Sequence, residues 1–314
     1  VPVGVIGILY TLSVGGTCLT SYIEMGSFPK KTVGELLGPD GMPAEVNLVH
    51  NQGWMRNLFL PDEADAVRPS DLRQLLTSPR ALQLRGLALR TPRGKAAAVS
   101  RAIAASPNLA NLETLTLRYS GLGSEDIARI VASPHLAHLR ALYLGGMKLG
   151  GAHWDLVEQH DYRSQLTNPI GPNGVLEIGN SPALAGLERL DISFTSEGNG
   201  QHRKFLDGLT GSPYLRHLKY LNIDDDHVTA DELVRFAQSP TARTLEELRG
   251  TYNIALSPQD LEALMTSGLR SDIQMNLDYS ETSGEPWPAD LVRRFHARFP
   301  NVTLPRRAIA ALAM

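Results

Sequence analysis

Ser106–Leu144 reads SPNLANLETLTL (106–117), RYSGLGSEDIARIVA (118–132) and SPHLAHLRALYL (133–144), so one phrase returns after 27 residues with Ser-Pro and its leucines in register. Leu109, Leu112, Leu115 and Leu117 recur as Leu136, Leu139, Leu142 and Leu144. The closing L-x-L alternates as a half-buried strand does, whereas SEDIARIVASPHLAHL (124–139) carries helical spacing. Each unit is therefore one short strand plus one helix. Neither buries its apolar side except against the neighbouring unit, which is the logic of a solenoid.

Working outward, the L-x-L ending opens at Leu58, Leu87, Leu115, Leu142, Leu190, Leu221, Leu248, Met275 and Val302. These positions lie 27 to 31 residues apart, except for 48 between Leu142 and Leu190. Ser-Pro stands nine residues ahead of the ending at Ser78, Ser106, Ser133, Ser181, Ser212 and Ser239. Proline lacks the N–H and disfavours helix in the residue before it, so each Ser-Pro is expected to end a helix. GVLEIGNSPALAGLERLDI (174–192) aligns with DIARIVASPHLAHLRALYL (126–144), which assigns the long step to about 20 residues inserted after Leu149.

The L-x-x-L-x-x-L-x-L runs over about 53–304 resemble the leucine-rich repeat family, in its ribonuclease-inhibitor-like class with long repeats and true helices. The resemblance implies an α/β horseshoe with a parallel concave sheet and outer helices. It also implies a buried Asn three places after the second leucine. Here that place holds Pro92, Ser120, Met147, Thr195, Asp226 and Asn253, so the Asn ladder is expected to be largely missing.

The 314 residues carry 42% hydrophobic residues, enough for a continuous core, and a formal charge of -3 that gives no general attraction to nucleic acid. Cys18 is the single cysteine, so no intrachain disulfide forms, and a reducing, cytoplasmic setting is expected. Residues 1–23 carry no charged side chain, which suits either a membrane-associated segment or a buried, strand-rich region. The expected organisation is an apolar segment and Gly/Pro-rich connector over 1–40, a solenoid over 41–304 with its insertion at about 150–171, and a tail over 305–314. Pro288–Arg298, with Leu291, Phe295 and Phe299 on one face, is expected to be the closing helix.

Residues alternating with the core leucines face the concave side. They form a column Phe59, Ala88, Thr116, Tyr143, Asp191, Asn222, Arg249 and Asn276. A second column holds Pro61, Arg90, Arg118, Gly145, Ser193, Asp224, Thr251 and Asp278. Charge is expected to run from basic Arg90 and Arg118 to acidic Asp191, Asp224 and Asp278. The position after these brings Tyr119, Phe194, Tyr252 and Tyr279 to a rim, although aromatics are only 6% of the chain. Such residues are enriched at binding hot spots; the alternative is that the rings close the edge of the core. The insert adds Trp154 and Tyr162 on a long irregular loop.

No nucleophile with its base, phosphate loop or zinc-protease motif occurs, so neither catalysis nor a cofactor is expected. His153, Asp155, Glu158, His160 and Asp161 could be assembled into a metal-dependent hydrolase site, but their spacing matches no compact motif and no metal is expected. Asp224, Asp225 and Asp226 are expected to cap the helix near Ala230. The function expected is a non-catalytic scaffold that binds a protein partner through the concave face, the rim and the insert. The alternative is a membrane-associated accessory subunit anchored by residues 1–23.

Overall fold

The computed structural model describes residues 4–14, 17–28, 57–59, 69–89, 91, 94–118, 120–145, 168–195, 204–224, 227–251, 254–277, 287–305 and 308–309. Near the N-terminus, β1 (Gly4–Val14) and β2 (Thr17–Phe28) form an antiparallel ribbon, pairing Leu12 with Leu19 and Ile8 with Ile23. The uncharged run is thus strand over most of its length. Among the described residues no helix is long and apolar enough to cross a membrane.

Nine strands follow: β3 (Asn57–Phe59), β4 (Gly86–Ala88), β5 (Thr114–Thr116), β6 (Ala141–Tyr143), β7 (Arg189–Asp191), β8 (Tyr220–Asn222), β9 (Glu247–Arg249), β10 (Gln274–Asn276) and β11 (Val302–Thr303). They lie side by side in chain order as one parallel sheet. Leu58, Leu87, Leu115, Leu142, Leu190, Leu221, Leu248, Met275 and Val302 pair in one continuous row. That row is the first leucine of every L-x-L, so the repeat register is also the hydrogen-bonding register. A parallel pair needs a crossover between its strands, and a helix supplies it.

The helices are α1 (Pro69–Thr77), α2 (Ala96–Ala104), α3 (Ser124–Val131), α4 (Gly171–Gly179), α5 (Asp207–Thr210), α6 (Ala230–Ala237), α7 (Pro258–Met265) and α8 (Ala289–Arg298). Each turns its apolar stripe to the sheet; α3 buries Ile127, Ile130 and Val131 while its Glu125 stays exposed. The result is an α/β leucine-rich-repeat solenoid, a horseshoe with a parallel concave sheet and outer helices. One continuous core runs from Leu72 to Ala308. At the C-terminal end α8 buries Leu291 and Phe295, its C-cap Phe299 is buried beside them, and the Trp287 indole donates to the Leu256 carbonyl at 2.9 Å.

The Ser-Pro pairs do more than stop helices. Proline opens a 3-10 turn just past the helix, as at Pro107–Leu109, Pro134–Leu136 and Pro182–Leu184. The serine hydroxyl reaches back to the last turn of the preceding helix, where carbonyls have no intrahelical partner. Ser106 donates to Leu76 O at 2.7 Å, Ser133 to Ala104 O at 2.7 Å, Ser181 to Val131 O at 2.5 Å and Ser212 to Gly179 O at 2.6 Å. Thr241 continues the ladder to Leu209 O at 2.9 Å. Each rung fastens one repeat to the one before it.

A second ladder, of charge, runs along the residues just ahead of the strands: Arg85, Glu113, Arg140, Glu188, Lys219 and Glu246 alternate in sign. Arg85 pairs with Glu113 at 3.7 Å, while Glu188 takes both Arg140 at 3.2 Å and Lys219 at 2.8 Å.

Local details depart from the sequence reading at two places. The cap of α6 is Thr229, which exchanges hydrogen bonds with Glu232 in a capping box, rather than an aspartate. The expected insertion at 150–171 overlaps 168–171, and those four residues belong to the solenoid. Asn168 and Ile170 are fully buried and Gly171 begins α4.

Asn168 is a buried Asn at a place other than the one the resemblance implied. Its amide donates to Leu117 O and Leu144 O, 2.6 Å each, and its carbonyl accepts from the N–H of Ser120 and Leu122, 3.0 Å each. Four backbone groups that turn away from the sheet are satisfied by one side chain. Where α4 meets α5, Gly179 and Gly208 allow backbone contact: a Cβ on Gly179 would stand 1.9 Å from Gly208 O.

Candidate functional site

Each strand from β4 to β10 has three residues, and its middle one is in the core. The two outer ones therefore face the concave side, and the central strands load that side with charged and aromatic groups. Arg189, Tyr220 and Glu247 lie in one register row, and Tyr143, Asp191, Asn222 and Arg249 in the next. These side chains lie outside the leucine row, and of the aromatic ones Tyr220 is buried and Tyr143 half-buried.

Two guanidinium groups attend the Tyr220 ring: Arg189 lies 4.6 Å from its centroid and Arg249 5.7 Å. Arg249 Nε also donates to Glu247 Oε1 at 2.6 Å. Burial, and then the charge of Asp191, push the Tyr220 phenol well above its ordinary range, so it stays a neutral donor. One strand away, Arg118 donates to Asp191 and stands 5.4 Å from the Tyr143 ring centroid. Asp191 Oδ1 accepts from the Ser193 N–H at 3.1 Å and its hydroxyl at 2.7 Å. Gly145 makes room, since a Cβ there would come within 2.6 Å of Asp191 Oδ1.

Of the residues expected to form the binding surface, Arg118, Tyr143, Asp191, Asp224 and Arg249 come together here. Phe194 follows, half-buried, with φ of 56° in the left-handed region that bulky side chains avoid. Its N–H is held by the Asp224 carbonyl at 2.7 Å. Arg90, Tyr119, Trp154, Tyr162, Tyr252, Asp278 and Tyr279 lie outside the described residues.

Asp191 requires a correction. It was expected as an exposed acidic contact, yet it is 1% exposed and saturated by Arg118 and Ser193. The two charges are internal partners, so the basic-to-acidic gradient does not run between them. Sequence reasoning also missed Arg189, Tyr220 and Glu247, which precede the core residue of each strand. Alternation puts the residues on both sides of the leucine on the same face, the preceding ones as well as the following ones.

Among the described residues no three His, Cys, Asp or Glu side chains gather to hold a metal ion. His153, Asp155, Glu158, His160 and Asp161 of the insert lie outside them.

No protein-family model matches the chain, and no curated protein does. Among solved structures, the Rad7 and Elc1 complex in yeast is similar at 12% identity with a TM-score of 0.37, over 84% of this chain and 70% of that one. The fold stands on this chain's own strand register.

Proposed function

We propose that the chain is a non-catalytic repeat scaffold that binds a protein partner on its concave sheet, extended by the aromatic rim and by the insert over 150–167. The observation that carries this is the pair of tyrosines, Tyr143 and Tyr220, interleaved with Arg118, Arg189 and Arg249 on the concave side of the sheet. Tyr and Arg dominate binding hot spots because they offer broad apolar area together with directed donors. Within the family, the ribonuclease-inhibitor-like class is favoured by the long units and by true α-helices on the outer layer. The organisation that accompanies this reading is 1–40 as an N-terminal unit and connector, 41–304 as the solenoid and 305–314 as a tail. A cytoplasmic setting is supported by the single cysteine.

The test is affinity capture from an extract of the protein's own cells. Bait is the full chain, Asn222→Arg at the centre of the concave face, or Glu125→Arg on the exposed side of α3. A partner held by wild type and Glu125→Arg but lost with Asn222→Arg is expected. Equal recovery on all three, with unchanged melting, overturns the reading.

A further inference from the structure

The stack of Arg189 on Tyr220 defines a cation whose own carboxylate is missing. Every other arginine of the cluster has one: Arg118 serves Asp191 and Arg249 serves Glu247. The Arg189 side chain has no hydrogen bond and no ion pair among the described residues, and its Nε is buried without an acceptor. A guanidinium set over a ring keeps its N–H donors for other partners, and those donors form a rigid planar fork. A fixed fork of unused donors matches a carboxylate, which can accept two of them at once.

We propose that the concave face binds an acidic segment of its protein partner by seating one Asp or Glu carboxylate of that segment on Arg189. This rests on the concave face being the protein-binding surface. The surroundings select the charge of the guest. Arg118 and Arg249 are taken by Asp191 and Glu247, which leaves Arg189 as the one cation open to a guest, and a dianionic phosphate would bring one charge more than it matches. A carboxylate brings the single negative charge that Arg189 lacks, and it replaces water on a side chain already partly desolvated. Tyr220, held neutral by burial, adds no opposing charge.

The test uses the full chain and a phage-displayed library of random peptides. Binders are expected to share Asp or Glu at one fixed position. The selected peptide should weaken by roughly tenfold or more on Arg189→Gln, the loss of one charge-assisted pair. Changing that position of the peptide to Gln should cause the same loss on wild type and little further loss on Arg189→Gln. Arg189→Lys, which keeps the charge but not the fork, should fall between. Unchanged melting of the variants shows that folding is intact. Peptides without a fixed acidic residue, binding wild type and Arg189→Gln equally but lost on Asn222→Arg, overturn the carboxylate site and leave the protein-binding face standing. Tighter binding when phosphoserine replaces the acidic residue also overturns it. Binders indifferent to Asn222→Arg, or no binders at all, remove the concave-face reading and this site together.

Discussion

Asn168 donates its side-chain amide to the carbonyl of Leu117 at 2.6 Å across 51 residues of chain. The same amide reaches Leu144 O, so one residue ties two successive strand exits together. Asn168→Ala would leave two carbonyls and two N–H groups buried without partners. Each orphaned group costs about 1–3 kcal/mol, and partial repair by water lowers the sum, so a loss of roughly 3 kcal/mol is expected. Urea unfolding should show it as a lower midpoint. A shift of a few tenths would mean that the plug is dispensable.

The serine rungs are separate and repeated, so they should add. Ser106→Ala, Ser133→Ala, Ser181→Ala and Ser212→Ala are each expected to lose about 1 kcal/mol, and pairs well separated along the solenoid should sum. Denaturant midpoints of the singles and of the Ser106/Ser212 double variant check this. An alanine at Glu125, exposed on α3, should change little.

Arg118 and Asp191 are unequal partners: the Arg118 side chain is 34% exposed and that of Asp191 2%. Arg118→Gln strands a buried carboxylate and is expected to lose about 3 kcal/mol. Arg118→Gln with Asp191→Asn should recover part of that, because the uncompensated charge is gone. A double-mutant cycle by thermal unfolding decides; simple additivity would show that the pair is not coupled.

Glu188 and Lys219 give a pH signature. The hydrogen bond from Lys219 holds the Glu188 carboxyl below its ordinary 4.5, and the same bond holds Lys219 above its ordinary 10.5. A lowered carboxyl contributes stability above its unfolded value and loses it as pH falls through the folded one. A raised amine contributes below its unfolded value and loses it as pH rises past the folded one. Both groups are partly exposed, so the pair is worth only about 0.5 kcal/mol and is screened by salt. Glu188→Gln should therefore be slightly less stable than wild type at about pH 7, and the gap should close at about pH 3 and in about 1 M salt. A gap that persists under both conditions would mean that the side chain acts by packing.

Legibility followed repetition. The leucine row was readable because each copy buries the same side chain for the same reason, and Leu142 and Leu190 kept register across the long step between them. Asn168 was not readable, since its role depends on where the chain returns after the insert and no copy repeats it. Arg189 and Tyr220 were within reach of the alternation rule and were passed over. The burial of Asp191 could not be foreseen, because it depends on Gly145 of the neighbouring strand leaving space and on Arg118 arriving from two strands away. Serine before proline looked like punctuation, and its donor role appeared only once the preceding helix end lay beside it.

The register row passes from Leu142 to Leu190 as it does between ordinary neighbours, although the chain between them is far longer. Gly145 and Asn168 bound a stretch whose length the sheet does not sense, provided that the plug returns at its far side. The horseshoe therefore has a splice point: a fluorescent domain or a second binding module could be installed there. The part of the proposed binding surface that the insert supplies is free to diverge while the sheet that presents it stays as it is.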